Sequence, residues 1–279
     1  MLSIIAMLCY GMNSFLYKVS AEKRCNTAWT TFSFTITVAI LSFIFFIANG
    51  SLIEGLFVLI LFSFLNAVTY MTTTIARIET LKILPASVAY PVIRQSTALV
   101  VLFSVIYFRD RLSLFQIIGV ILAITVVWLL SGEGDRSGKR DVRKGFFLIV
   151  IALLFSAMTT VLQKFAAIRV ELLAYIFISY CMQAVIAFSL KNRLQTEKEN
   201  TDHKNAIVIG IIIGVLNFIG YFLVLKAYTT GPLAIVAPIL SLSFAVGILL
   251  SIIVYKEEIT ARRVLGLVLS LVAVLLLRL

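Results

Sequence analysis

Uninterrupted apolar runs, such as residues 56–65 and 206–216, set the first limit on what this chain can fold into. In hydrocarbon an unpaired peptide group costs several kcal/mol, so a bilayer-spanning chain is either helical or a closed barrel. Barrel strands alternate polar and apolar residues over segments of about ten, and these runs do not alternate. They predict membrane helices. The composition agrees: 61% of residues are hydrophobic and 13% charged, with a mean hydropathy of +1.08, where soluble domains run near half and a quarter. One globular core of 279 residues cannot hide that much apolar surface. At about 20 residues per crossing, the chain has room for roughly ten helices.

Reading the runs between charged or Gly/Asn-rich breaks places helices at 2–20, 27–48, 55–78, 84–108 and 113–131, then at 145–167, 171–190, 206–229, 232–255 and 260–278. The expected fold is all-α integral membrane, with ten transmembrane helices in two five-helix units, residues 1–131 and 145–279, joined by a basic linker at 132–144. The first apolar stretch lacks a basic leader and a small-residue cleavage site, so it reads as the first helix. Cys9, Cys25 and Cys181 are too scattered for a disulfide framework or a metal site, and His203 reads as a solvated loop residue. The net charge of +11 is carried by short loops between spans, which fits positive-inside orientation better than nucleic-acid binding.

Comparing the units shows a repeat. At an offset of 147, Pro85 and Pro91 fall on Pro232 and Pro238, Ser96 on Ser243, Ala98 on Ala245, Ser104 on Ser251 and Gly119 on Gly266. The turn Phe108-Arg-Asp-Arg-Leu then faces Tyr255-Lys-Glu-Glu-Ile. The first helix of each unit aligns at 146, pairing Lys18 with Lys164, and the third at 151, pairing Asn66 with Asn217 and Tyr70 with Tyr221. The four prolines of the chain thus occupy two equivalent sites. An odd number of crossings per unit places the second copy upside down, as in the inverted repeats of several secondary transporter folds.

These residues resemble the drug/metabolite transporter superfamily, specifically its EamA-type ten-helix members. The first helix is punctuated by Tyr10-Gly-Met-Asn-Ser-Phe, where the family usually carries Trp-Gly. The third helix ends in Tyr and small residues, and a Pro-containing fourth helix runs to an aromatic-x-acidic turn, here Phe108-Arg-Asp and Tyr255-Lys-Glu. The likeness covers nearly the whole chain and is strongest over 62–130 and 213–275. It implies transport, with a family range spanning amino acids, sugars, nucleotide precursors, cations and drugs, and it implies export for members that carry amino acids.

Candidate substrate-contacting residues are those that hydrocarbon tolerates least. Proline removes a helical N–H, and Pro-interrupted helices in equivalent positions of two halves point to a midplane site or gate. Pro85, Pro91, Pro232 and Pro238 fit that description, though a kink for packing is the plainer reading. Arg94 lies roughly 21 Å from the Arg109 turn at about 1.5 Å per residue, a depth where arginine costs about 2.5–3.5 kcal/mol. Its guanidinium suits a carboxylate or phosphate; the alternatives are a pair with Glu79 or bonds to freed carbonyls. Its repeat mate is Ser241, so the site is expected to carry one charged wall. Asn13, Asn66, Tyr70, Tyr90, Gln95, Gln183, Asn217, Tyr221 and Ser241 complete the candidate lining, each with interhelical hydrogen bonding as the competing role.

The thirteen acidic residues fall in loops or near helix ends. Related four-helix multidrug transporters use a carboxylate on helix 1, where this chain has Cys9-Tyr-Gly-Met-Asn-Ser. Lipophilic cations are disfavoured on that ground. The expectation is a secondary transporter, exporter or exchanger, of a small anionic or zwitterionic metabolite such as an amino acid. Phosphorylated or nucleotide-linked sugars come second, drugs of the same fold after them, and a lipid-binding or signalling scaffold is the alternative outside transport. No His/Asp/Glu cluster in the spans supports catalysis, and no cofactor is called for. The expected partners are a small-molecule substrate and the lipid bilayer, with oligomeric state open, and the expected location is a prokaryotic cytoplasmic membrane.

Lys and Arg crowd the side that follows the odd-numbered helices, which puts the central basic loop in the cytoplasm and both termini outside; bacterial members of the resembling family keep both termini inside. With the native cysteines replaced, a cysteine at Ser137 is expected to resist an impermeant maleimide added to intact cells. Rapid labelling from outside would reverse the orientation.

Overall fold

The computed structural model describes residues 2–50, 55–108, 113–130, 139–190, 203–230, 236, 240, 242–256 and 260–276. No strand occurs among them. The helices are α1 (Leu2–Glu22), α2 (Thr27–Asn49), α3 (Leu56–Leu81), α4 (Ala86–Arg94), α5 (Ser96–Phe108), α6 (Leu114–Leu130), α7 (Lys139–Ala167), α8 (Leu172–Ser189), α9 (His203–Thr230), α10 (Ser243–Tyr255) and α11 (Ala261–Leu276). Six described crossings, with Ala86–Phe103 as one, are long and apolar enough to traverse a bilayer, while α6 and α10 are apolar but shorter. Pro232, Pro238 and Ser241 lie outside the described residues.

Three boundaries differ from the hydropathy reading, for one physical reason: charge marks where a helix leaves hydrocarbon, not where it ends. Helix α3 runs on to Leu81 and carries Arg77 inside it. Helix α7 begins at Lys139, so residues 139–144 of the expected linker are helical. Helix α9 begins at His203, whose ring stacks on Trp29 at 5.3 Å rather than standing in a loop. The fourth expected helix is two pieces, α4 and α5, broken at Gln95.

The two halves pack as mates running in opposite directions. Helices α2 and α8 are equivalent elements, and Phe32 meets Phe188 at 5.7 Å where Phe43 meets Phe177 at 5.0 Å. Those pairings make the helices antiparallel, as inversion requires. The contacts between halves come in equivalent sets: α1 packs on α9 as α7 packs on α3, and α2 on α9 as α8 on α3. Helix α1 also runs parallel to α10, with Phe15 beside Tyr255 at 6.3 Å, and α7 runs parallel to α5, with Tyr107 beside Phe165 at 5.6 Å. Large apolar side chains face outward: Phe57 is 78% and Trp128 73% exposed, positions that suit lipid.

Small residues set the closest approaches. Gly210 and Gly214 form a Gly-x-x-x-Gly face on α9; a Cβ at Gly210 would lie 2.6 Å from Ser33 Cβ, and one at Gly214 2.6 Å from Thr37 Cβ. Lipid tails are as apolar as any side chain, so helices in a membrane associate through such backbone proximity. Along α2, hydroxyls that face this seam are satisfied within their own helix, as Thr37 donating to the Ser33 carbonyl at 2.8 Å. Gly210→Ala and Gly214→Ala are each expected to cost about 1–3 kcal/mol through overpacking, read as a lower melting temperature of the purified protein; an unchanged melt would mean that α2 and α9 separate freely.

Candidate functional site

Polar side chains converge on a cavity of about 110 Å³ between the halves, several times the space one water needs. Helix α1 contributes Tyr10, Asn13, Ser14 and Tyr17 to it, and α7 contributes Ser156, Thr159, Thr160 and Gln163. The spacing in both is i, i+3, i+4, i+7, one face of a helix. At the offset of 146 the two stripes are position-for-position equivalents, so the cavity is framed by the same face of the repeat, used twice. Helix α3 adds Tyr70, Thr73 and Arg77; α9 adds Asn217, Val224 and Tyr228, of which Val224 and Tyr228 are the repeat mates of Thr73 and Arg77. Arg94, Ser96, Thr97 and Val100 enter at the break between α4 and α5.

Two arginines therefore share the cavity. Arg94 is the last residue of α4 and donates from Nη2 to Ser243 Oγ on α10 at 3.0 Å. Arg77 lies over the Tyr17 ring, 5.7 Å from its centroid. Among the described residues neither has a carboxylate within ion-pair distance. Glu79, the expected alternative partner of Arg94, instead accepts from Lys82 Nζ at 3.0 Å and from Thr27 Oγ1. Two residues along from Arg77, it points away from the cavity side of α3. Asn13 is 2% exposed, and among the described residues neither of its amide atoms has a partner.

The break beside Arg94 follows from backbone chemistry. Pro85 caps α4 in an extended conformation, and Pro91 lies within it. After Pro91 the chain tightens: the Gln95 N–H donates to the Val92 carbonyl, three residues back. That leaves the Pro91 carbonyl without its usual partner, and Gln95 Nε2 supplies one at 2.8 Å while also donating to Ser270 Oγ on α11 at 2.7 Å. The Pro91 carbonyl thus loses its usual helical N–H one turn after the Ser87 carbonyl, to which Pro91 has none to offer.

Of the residues expected to line the site, Arg94, Asn13, Tyr70 and Asn217 meet in the cavity. Gln95, buried at the helix break, does not. Tyr90 is buried behind the wall, its hydroxyl donating to the Ser14 carbonyl. Asn66 is buried and accepts from Gln163 Nε2 at 3.4 Å. Tyr221 packs edge-on to Tyr180 at 5.8 Å, and Gln183 is fully buried on α8; neither reaches the cavity. Asn217 joins the two walls, donating to Tyr70 Oη at 2.9 Å and accepting from Tyr180 Oη at 2.5 Å. Arg77, Tyr10, Tyr17, Gln163 and Tyr228 were not singled out by the sequence. Their signal was there in the polar stripes of α1 and α7, which stand out only when polar residues, rather than apolar ones, are scored at helical spacing.

Comparison with known proteins supplies the family. A solved crystal structure is similar in fold over 97% of either chain, with a TM-score of 0.65 at 16% identity. An uncharacterized transporter of Archaeoglobus fulgidus is 26% identical over 196 residues, which is 70% of this chain. The match spans 64% of that relative's length. The sequence pattern of the EamA-like transporter family matches residues 1–132 and again 143–279. Two matches, one to each half, agree with a chain built by repeating one polar-striped unit: it belongs to the EamA-like transporter family.

Proposed function

We propose that this protein is a secondary membrane transporter that moves a small anionic or zwitterionic metabolite, with amino acids the leading class, by alternating access between its two halves. One observation carries the reading: Arg94 stands at the edge of a polar cavity inside the bundle, held by a neutral hydroxyl, with no described carboxylate to neutralise it. A guanidinium so placed presents planar donors matched to a carboxylate. Membership of a transporter family and the pairing of inverted halves around the cavity support movement rather than storage of the ligand. The described cavity lining includes no acidic side chain, which favours exchange or facilitated export over coupling through an intramembrane carboxylate.

Thermal stabilisation across a panel of amino acids, other carboxylates, sugar phosphates and organic cations tests the charge preference. Stabilisation by carboxylate-bearing compounds is expected, with its loss in Arg94→Gln. In proteoliposomes the same variant is expected to lower uptake about ten- to hundredfold, because a hydrogen bond to a charged group is worth about 1.5–3 kcal/mol and about 1.4 kcal/mol is a factor of ten. Unchanged kinetics in a correctly inserted variant, or stabilisation by cations alone, would overturn the assignment.

A further inference from the structure

We propose that Arg77 and Arg94 act as a pair and that the transported molecule is a dianion of metabolite size, bearing two carboxylates or one phosphate monoester. The proposal rests on the transport reading above and narrows its anionic branch, placing dianions ahead of amino acids that carry a single carboxylate.

Both guanidinia face the same cavity from neighbouring elements, Arg77 from α3 and Arg94 from the end of α4. Among the described residues each has one restraint, the Tyr17 ring for Arg77 and Ser243 Oγ for Arg94, against five N–H donors on each guanidinium. Most of their hydrogen-bonding capacity therefore remains for a ligand. Two like charges in a bundle interior repel, and removing each from water is costly unless an opposite charge joins it. A monoanion leaves one charge uncompensated; a dianion balances both.

The repeat separates this role from a structural one. The equivalents of Arg77 and Arg94 in the second half are Tyr228 and Ser241. Tyr228, which lines the cavity at the position equivalent to Arg77, is neutral, so packing at that position of the repeat does not call for a cation. Both positive charges belong to one half, and the opposite wall, from α7, offers hydroxyls and the Gln163 amide. Asn13, buried and with neither amide atom partnered among the described residues, supplies a donor and an acceptor between the walls. Such a site grips anionic groups on one side and polar substituents on the other.

The test uses the full-length protein in nanodiscs and proteoliposomes with four probes: butyrate and alanine, carrying one carboxylate; succinate, carrying two; and glycerol 3-phosphate, a phosphate monoester. The wild type is expected to bind succinate, glycerol 3-phosphate or both at least tenfold more tightly than butyrate or alanine, and which of the two dianions leads identifies the chemistry. Arg77→Gln is expected to lose at least tenfold for the preferred dianion while changing butyrate and alanine by less than about threefold, with Arg77→Lys intermediate because it keeps charge without the planar fork. Arg94→Gln is expected to weaken all four. If glycerol 3-phosphate leads, its affinity in the wild type should rise as the pH passes the second phosphate pKa of about 6, a readout that needs no variant to fold. Equal binding of monoanions and dianions by the wild type, or an equal loss for every probe in Arg77→Gln, overturns the dianion proposal and leaves an anion transporter standing. Binding of none of the four removes both.

Discussion

Every peptide group of a chain in hydrocarbon must find its partner inside the protein, and the organisation of this molecule follows from that demand. It makes the spans helical. It also sets the terms on which a helix can be interrupted. Where α4 gives way to α5, the backbone shifts to a three-residue bond and strands the Pro91 carbonyl, and the next side chain, Gln95, returns to cover it. The interruption is affordable because the residue at the break brings its own donor. With the carbonyl satisfied, Arg94 can end one helical segment at the cavity edge and Ser96 can begin the next.

The same demand explains how the bundle coheres. Hydrophobic association between helices is absent in lipid, so contact depends on backbones approaching at Gly210 and Gly214 and on hydroxyls that bond within their own helix, as along α2. The interior is then left to polar side chains, which would be unsatisfied facing lipid. Outward apolar bulk and inward tyrosine, asparagine and threonine are two results of one sorting.

The helical membrane class, most of the spans and the repeat were legible in the sequence, because hydropathy and proline spacing are properties of single segments. Arg94 was legible too, as a charge too deep for a loop. Arg77 was not. With the third helix expected to end at residue 78 it read as a charge at the helix end, and the continuation of α3 to Leu81 sets it a turn further in. Gln95, Tyr90 and Asn66 illustrate the opposite difficulty. Polarity in a span says that a side chain needs a partner, but whether that partner is a substrate, a stranded carbonyl or another helix depends on which face it occupies. Gln95 found a carbonyl, Tyr90 the backbone of α1, and Asn66 a glutamine. Tertiary placement decides this, and it is not a local property.

The two equivalent stripes on α1 and α7 have a further consequence. If the halves were identical, the frame's inward-open and outward-open forms would be mirror images in energy, and a ligand would meet the same affinity from either face of the membrane. Tyr10, Asn13, Ser14 and Tyr17 on one stripe and Ser156, Thr159, Thr160 and Gln163 on the other remove that degeneracy. An alternating-access cycle on such a frame is lopsided at rest. Detailed balance allows unequal affinities at the two faces when the energy gap between the empty forms makes up the difference. On the proposed alternating-access cycle, divergence of the stripes is thus a means of setting the resting orientation.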